Sequence, residues 1–228
     1  MTYVISNIHG NYDVFRKMLD TVKFSDRDNL YLLGDIVDYG EQNIELLNDV
    51  STRYNVYSIA GEHDFLALKY LSEYEKLKKS KSAPDAALLR SMTEWLEDGG
   101  QAFFDEFIKS DPDTKEGVLD YLSDMTLYEE IAVNDKDYLL IHAGIKNFSP
   151  DIDLDSLTED DFFSEGLDFR KKYYDDKIII AGHEPTTSEN GGDGRIFYGN
   201  GSIDIDCGLM RGGVLGCLRL EDGREFYV

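Results

Sequence analysis

A chain of 228 residues, 42% of them hydrophobic, is long enough for one ordinary domain with a real core and leaves room for only a small second one. Its 23 basic and 46 acidic side chains give a formal net charge of −23. A field of that sign excludes nucleic acid and anionic membrane as partners, since both need Lys and Arg against their phosphates, and it admits a phosphate-bearing ligand only where bound cations or a local basic pocket reverse the sign.

Read in chain order, Met1 to Asn7 has neither the basic region nor the long apolar stretch of a signal peptide. Nowhere does the chain approach the roughly eighteen apolar residues of a membrane span. Tyr3 to Ile5 reads as a strand, and Phe15, Met18, Leu19 and Val22 follow at helical spacing. Leu30 to Leu33 is a second strand ending at Gly34; Ile44, Leu46 and Leu47 lie in a second helix; Val56 to Ala60 is a third strand ending at Gly61. Strands alternating with helices predict a layered α/β sheet. From about 64 to 124 the pattern is helical throughout. Phe65 to Leu71, the Lys-rich stretch 76–81 and a helix from Pro84 to Trp95, closed by Gly99-Gly100, read as a helical insertion rather than a second domain. Strands return at Glu130 to Val133, Tyr138 to Ile141 and Ile178 to Ala181, and Ile203 to Leu220 reads as a hairpin-rich β segment. Cys207 and Cys217, in apolar surroundings, read as buried free thiols, and a cytoplasmic protein is expected. Asp151 to Asp155 opens like a calcium loop, but Ser156 and Phe162 stand where the Gly and the closing Glu are needed, so Asp151 to Asp161 is expected to be an acidic solvated loop.

The chain has four histidines, His9, His63, His142 and His183, and each follows or closes an apolar strand-like run. A further strand end carries the carboxylates Asp35 and Asp38. Ligands in open α/β sheets bind beyond the carboxyl ends of strands, and one imidazole there is ordinarily just a satisfied polar group. All four in that setting, beside a carboxylate pair, point to one shared site. Mixed imidazole and carboxylate donors suit Mn, Fe, Zn or Ni.

The quoted segments Asn7-Ile8-His9-Gly10, Gly34-Asp35-Ile36-Val37-Asp38-Tyr39-Gly40, Gly61-Glu62-His63-Asp64, His142-Ala143-Gly144 and Gly182-His183-Glu184-Pro185 resemble, in order and context, the motifs of the calcineurin-like metallophosphoesterases. In particular they resemble the bacterial branch of the Ser/Thr phosphoprotein phosphatases, which includes symmetrical diadenosine tetraphosphatases. The C-terminal Ile203 to Gly208 fits the same branch. The resemblance implies a four-layer α/β/β/α sandwich, a single domain over residues 1–228 with the helical insertion at about 64–124. It implies two divalent ions, with manganese among the choices. Position 7 and His9 would hold the first ion, Asp35 would bridge, and position 62, His142 and His183 would hold the second. His63 would protonate the leaving oxygen with Asp38 orienting its ring, and a metal-activated water would attack directly.

Three residues depart from the family pattern: Asn7 stands for Asp, Glu62 for Asn and Tyr39 for Arg. The first two move one carboxylate from the first metal to the second, which predicts a weakened first site and raises occupancy by one ion as an outcome. The third removes a phosphate-gripping cation, leaving Arg170 as the expected bidentate partner and Tyr39 as a surface for an aromatic substituent. The implied function is hydrolysis of phosphomonoesters, on a phosphoprotein or a small phosphoester. The alternatives are a dinucleoside polyphosphate hydrolase, which the acidic surface disfavours, and a catalytically weakened protein that binds metal or a phospho-ligand.

Overall fold

The computed structural model describes residues 1–189 and 191–228. Two five-stranded sheets lie face to face. The first has the order β10-β9-β1-β2-β3, from β1 (Thr2–Ile5), β2 (Asn29–Leu33), β3 (Val56–Ile59), β9 (Gly216–Arg219) and β10 (Arg224–Tyr227). The second has the order β4-β5-β6-β8-β7, from β4 (Tyr128–Val133), β5 (Lys136–Ile141), β6 (Lys177–Ala181), β7 (Phe197–Tyr198) and β8 (Ser202–Asp204). Each sheet has a parallel trio at its centre: β1, β2 and β3 in one, β5, β6 and β8 in the other.

Side chains alternate along these strands and sort the core into three sets. Tyr3, Ile5, Leu30 and Leu32 face α1 (Tyr12–Val22) and α2 (Asn43–Ser51), meeting Phe15, Met18, Leu46 and Leu47. Val4 and Leu33 turn the other way and meet Tyr138, Leu140, Ile180 and Leu218 between the two sheets. Leu139, Ile141 and Ile179 complete the period on the far face against Phe162 and Tyr173. The result is the expected mixed α/β sandwich, with one qualification. Among the described residues the outermost layer on the second sheet holds the short helix α7 (Glu159–Phe163) and a 3-10 turn at Leu154–Ser156, with loops doing the rest of the covering.

Helices fill the interval between β3 and β4, as the periodicity predicts: α3 (Glu62–Ser80), α4 (Ala86–Trp95), α5 (Gln101–Lys109) and α6 (Pro112–Ser123). They extend the first helical layer through Trp95, Phe103, Phe107, Val118 and Leu122, all buried. Between α4 and α5 a π-helical turn, Leu96–Gly100, kinks at Asp98 and Gly99. The C-terminal segment differs from the expected hairpin run. β8 pairs back on β7 in the second sheet and β9 pairs with β10 in the first, so the chain crosses between sheets at 205–215 and the two hairpins lie on either side of that crossing. Both cysteines are buried and free. Among the described residues no helix is long and apolar enough to cross a membrane.

Candidate active site

The parallel trios place the chemistry. Asn7 and His9 follow β1, Asp35 and Asp38 follow β2, Glu62 and His63 open α3 just beyond β3, His142 follows β5 and His183 follows β6. The loops are bent tightly. Asn7, His9, Asp35, Asp38, Tyr39 and His183 all adopt positive φ, between 49° and 76°. Six non-glycine residues in that sparsely allowed region store strain that the surrounding contacts must hold, a pattern that clusters at functional sites. Gly34 permits the closest approach. Its φ is 76°, and a Cβ there would lie 2.6 Å from both the Gly61 backbone and His142 Nδ1. Asp64, fully buried, fastens the second loop to the third: its Oδ1 accepts from the Ile36 and Val37 N–H groups and its Oδ2 from Gly61 N–H. Burial and the neighbouring Asp35 charge push its carboxyl up to about 7, while the Gly61 and Val37 donors pull it down.

A cavity of about 570 Å³ is lined by Asn7, His9, Asp35, Tyr39, Glu62, His63 and His183, joined by Asp98, Glu184, Asp206 and Arg211. At its floor the buried His142 joins two lining residues: the possible ligand atoms of Asp35, His142 and His183 lie within 4.8 Å of one another. His142 Nε2 is 3.4 Å from Asp35 Oδ2 and 3.2 Å from His183 Nδ1. A transition ion at about 2.0–2.1 Å from each donor would space them by roughly 3 Å, so this set fits a cation. The tautomers agree. His142 Nδ1 donates to the Leu33 carbonyl at 2.8 Å and His9 Nδ1 to the Val37 carbonyl at 3.2 Å, which directs each Nε2 toward Asp35; burial opposes charge on His142, yet the adjacent Asp35 carboxylate raises it. Burial opposes the charge on Asp35, yet His142, His9 and His63 hold its carboxyl well below the usual carboxylate range. Burial lowers His9 to about 4 and also lowers His183, which favours the neutral imidazole, the form able to accept a cation. Glu62 lines the same cavity from the first turn of α3, exposed, but is not one of the three whose donors cluster.

The Asn7 side is arranged differently. Asn7 Oδ1 accepts from the His183 N–H at 3.1 Å and from the Ser6 hydroxyl. Its Nδ2 therefore faces inward, 3.3 Å from Asp35 Oδ2 and 3.5 Å from His9 Nε2. An amide N–H₂ offers no lone pair to a cation. His9 and Asp35 keep only two donors on that side, with His9 Nε2 3.7 Å from Asp35 Oδ2.

His63 stands apart from the ligand cluster. Its Nδ1 lies 2.9 Å from Asp38 Oδ2, and Asp38 is completely buried. Burial alone would lower His63, but the bond to Asp38 and the charges of Asp35, Asp38 and Asp98 outweigh it and raise His63 to about 9. Tyr39 rests its ring edge-on against His9 and His63, with centroids 5.1 Å from each, and donates its hydroxyl to Asp98 Oδ1 at 2.8 Å. Burial and Asp98 push that phenol up to about 12.

Arg170 is not brought to this cavity. It lines the neighbouring one with Phe169, Glu189 and Phe197, and its exposed guanidinium pairs with Asp168 at 2.9 Å. Arg211 is the guanidinium on the wall of the candidate site. Asp206, Asp98 and Arg211 were not singled out from the sequence. Asp206 carried a weaker signal, since the strand it follows, β8, alternates polar and apolar residues where the histidines follow continuous apolar runs. Asp98 carried none, because the Gly99-Gly100 pair beside it reads as a helix stop.

Comparison with known proteins gives the family and the fold. The family model for calcineurin-like phosphoesterases matches residues 2–205. A symmetrical bis(5'-nucleosyl)-tetraphosphatase of Histophilus somni is 31% identical over 159 residues, 68% of this chain and 47% of that protein. The enzyme of the same name from Vibrio campbellii is 32% identical over 158 residues, with the same shares. The chain thus spans about half the length of these relatives. Among solved structures, a candidate diadenosine tetraphosphatase superposes with a TM-score of 0.67 at 18% identity, covering 100% of this chain and 92% of that one. A metallophosphoesterase from Sphaerobacter thermophilus gives 0.56 at 17% identity, covering 99% and 86%.

Proposed function

The chain belongs to the calcineurin-like phosphoesterases, and from that membership we propose that it is a metal-dependent hydrolase of small phosphate esters, built as one domain with a helical insertion. The observation that carries the reading is that Asp35 and His183, which cluster with the buried His142, line the same cavity as His63, whose ring is held by the buried Asp38. In this reading Asp35, His142 and His183 hold a divalent ion, with Glu62 on the wall beside them. An ion held there supplies an activated water and neutralises phosphoryl charge. His63, protonated at neutral pH, gives its proton to the leaving oxygen, and Asp38 fixes the ring that delivers it. Arg211, on the wall of that cavity, is the guanidinium available to the phosphoryl oxygens, while Arg170 lines the neighbouring cavity.

The names of the relatives favour a second substrate reading, symmetrical cleavage of dinucleoside tetraphosphates. The lining weighs the other way: Glu62, Asp98, Glu184 and Asp206 outnumber Arg211, which disfavours a highly anionic chain of phosphates. Assay of p-nitrophenyl phosphate and diadenosine tetraphosphate side by side, with Mn²⁺, decides. The leading reading expects kcat/KM for the monoester to equal or exceed that for the dinucleotide; the reverse order by about tenfold or more would transfer the assignment to the relatives' substrate.

Asn7 sets the metal content. With its amide nitrogen between His9 and Asp35, the first site lacks a third donor, so about one ion per chain is expected. Asn7→Asp restores an oxygen donor and is expected to raise the content to about two ions per chain by elemental analysis. An unchanged content would show that position 7 does not limit the first site.

A further inference from the structure

We infer that Trp95, supplied by the helical region between β3 and β4, is a positioning residue for the His63–Asp38 pair. The inference rests on His63 as the proton donor. Trp95 is the sole tryptophan of the chain and is 2% exposed. Its indole Nε1–H donates to Asp38 Oδ2 at 2.8 Å, the same oxygen that His63 Nδ1 meets at 2.9 Å. The other oxygen, Asp38 Oδ1, is buried with no partner. Two side-chain donors therefore hold the whole carboxylate. Without the indole the buried charge would keep one, and its plane would be free to turn away from the imidazole.

The indole is the fixed member of this arrangement. Its ring stacks on Tyr70 with centroids 5.5 Å apart and meets Phe104 edge-on at 6.4 Å. The backbone at Gly100 closes over it, where a Cβ would come within 2.3 Å of Trp95 Cε2. A ring clamped on these sides, with its one polar atom aimed at a fully buried carboxylate, imposes the direction of the hydrogen bond. The π-helical turn that follows carries Asp98 to Tyr39, so the same short segment touches the site twice.

The test exploits the single tryptophan. Biosynthetic replacement of Trp95 by β-(3-benzothienyl)alanine, which has sulfur in place of the N–H, alters this position alone; Trp95→Phe is the second variant. Each is assayed with Mn²⁺ on phenyl phosphate, whose leaving oxygen needs a proton, and on p-nitrophenyl phosphate, whose leaving oxygen needs it far less. We expect kcat on phenyl phosphate to fall about tenfold, the worth of one hydrogen bond to a charged group, with KM unchanged. On p-nitrophenyl phosphate the fall should be less than about twofold. Trp95 emission in metal-free protein should also shift in Asp38→Asn. Equal falls on both esters, no fall in either variant, or emission indifferent to Asp38→Asn would overturn the inference. His63→Ala in the same assays separates the two layers. If it too lacks leaving-group dependence, the proton-donor reading fails; if it shows the dependence and the Trp95 variants do not, only the positioning role fails.

Discussion

His63→Ala is expected to lower kcat on phenyl phosphate by about 10²–10³-fold while bound metal stays at the wild-type content. The separation of the two readouts follows from geometry. His63 is directed to Asp38 rather than to the Asp35, His142 and His183 cluster, so its loss removes a proton and leaves the ligands in place. Asp38 shares that oxygen with His63 and keeps the imidazole charged, raising it to about 9 against the effect of burial. Alanine at position 63 leaves Asp38 with a buried charge and one donor fewer, so a modest loss of stability accompanies the kinetic effect. Steady-state kinetics and elemental analysis on one preparation check both halves. A variant that loses metal along with turnover would recast His63 as a ligand.

Asp35→Asn is expected to strip the metal and lower kcat by about 10³-fold or more on every ester, whatever the leaving group. Asp35 is the point on which the site converges. Its carboxylate lies 3.4 Å from His142 Nε2, 3.7 Å from His9 Nε2 and 3.3 Å from Asn7 Nδ2, and it accepts the His63 backbone N–H at 3.1 Å. It is buried, and the imidazoles around it hold it ionised. An amide of the same shape keeps the packing and removes the one negative charge shared by the ligand set. The contrast with His63→Ala is the informative part: one variant should lose the ion and the other keep it. Retention of metal by Asp35→Asn would mean that the cation sits away from the cluster.

The strand ends were legible because each histidine follows an apolar run, and parallel strands deliver such residues to one edge of the sheet. Six central strands obey that rule, although Asp206 after β8 follows an alternating strand and carries the weaker signal. Other features depend on contacts that no local spacing encodes. Whether Asn7 turns its oxygen or its nitrogen inward is decided by the His183 backbone N–H, 176 residues away. That Arg211 rather than Arg170 reaches the cavity follows from the crossing of the chain between sheets at 205–215, a stretch that reads locally as β hairpin. Trp95 and Asp98 look like the end of an ordinary helix. Only the packing of α4 on α3, through the stacking of Trp95 on Tyr70, aims them at Asp38 and Tyr39. The departures from the family pattern at positions 7, 39 and 62 were visible as letters, and their consequences became arguable once the neighbours of each were known.

The most direct test of the account is to measure bound metal by elemental analysis and Mn²⁺-supported hydrolysis of p-nitrophenyl phosphate in the same sample. The account predicts about one ion per chain together with turnover, both abolished in Asp35→Asn. Bound metal without turnover at any divalent ion tested would contradict it and make the chain a metal-binding protein that has lost the chemistry of its family.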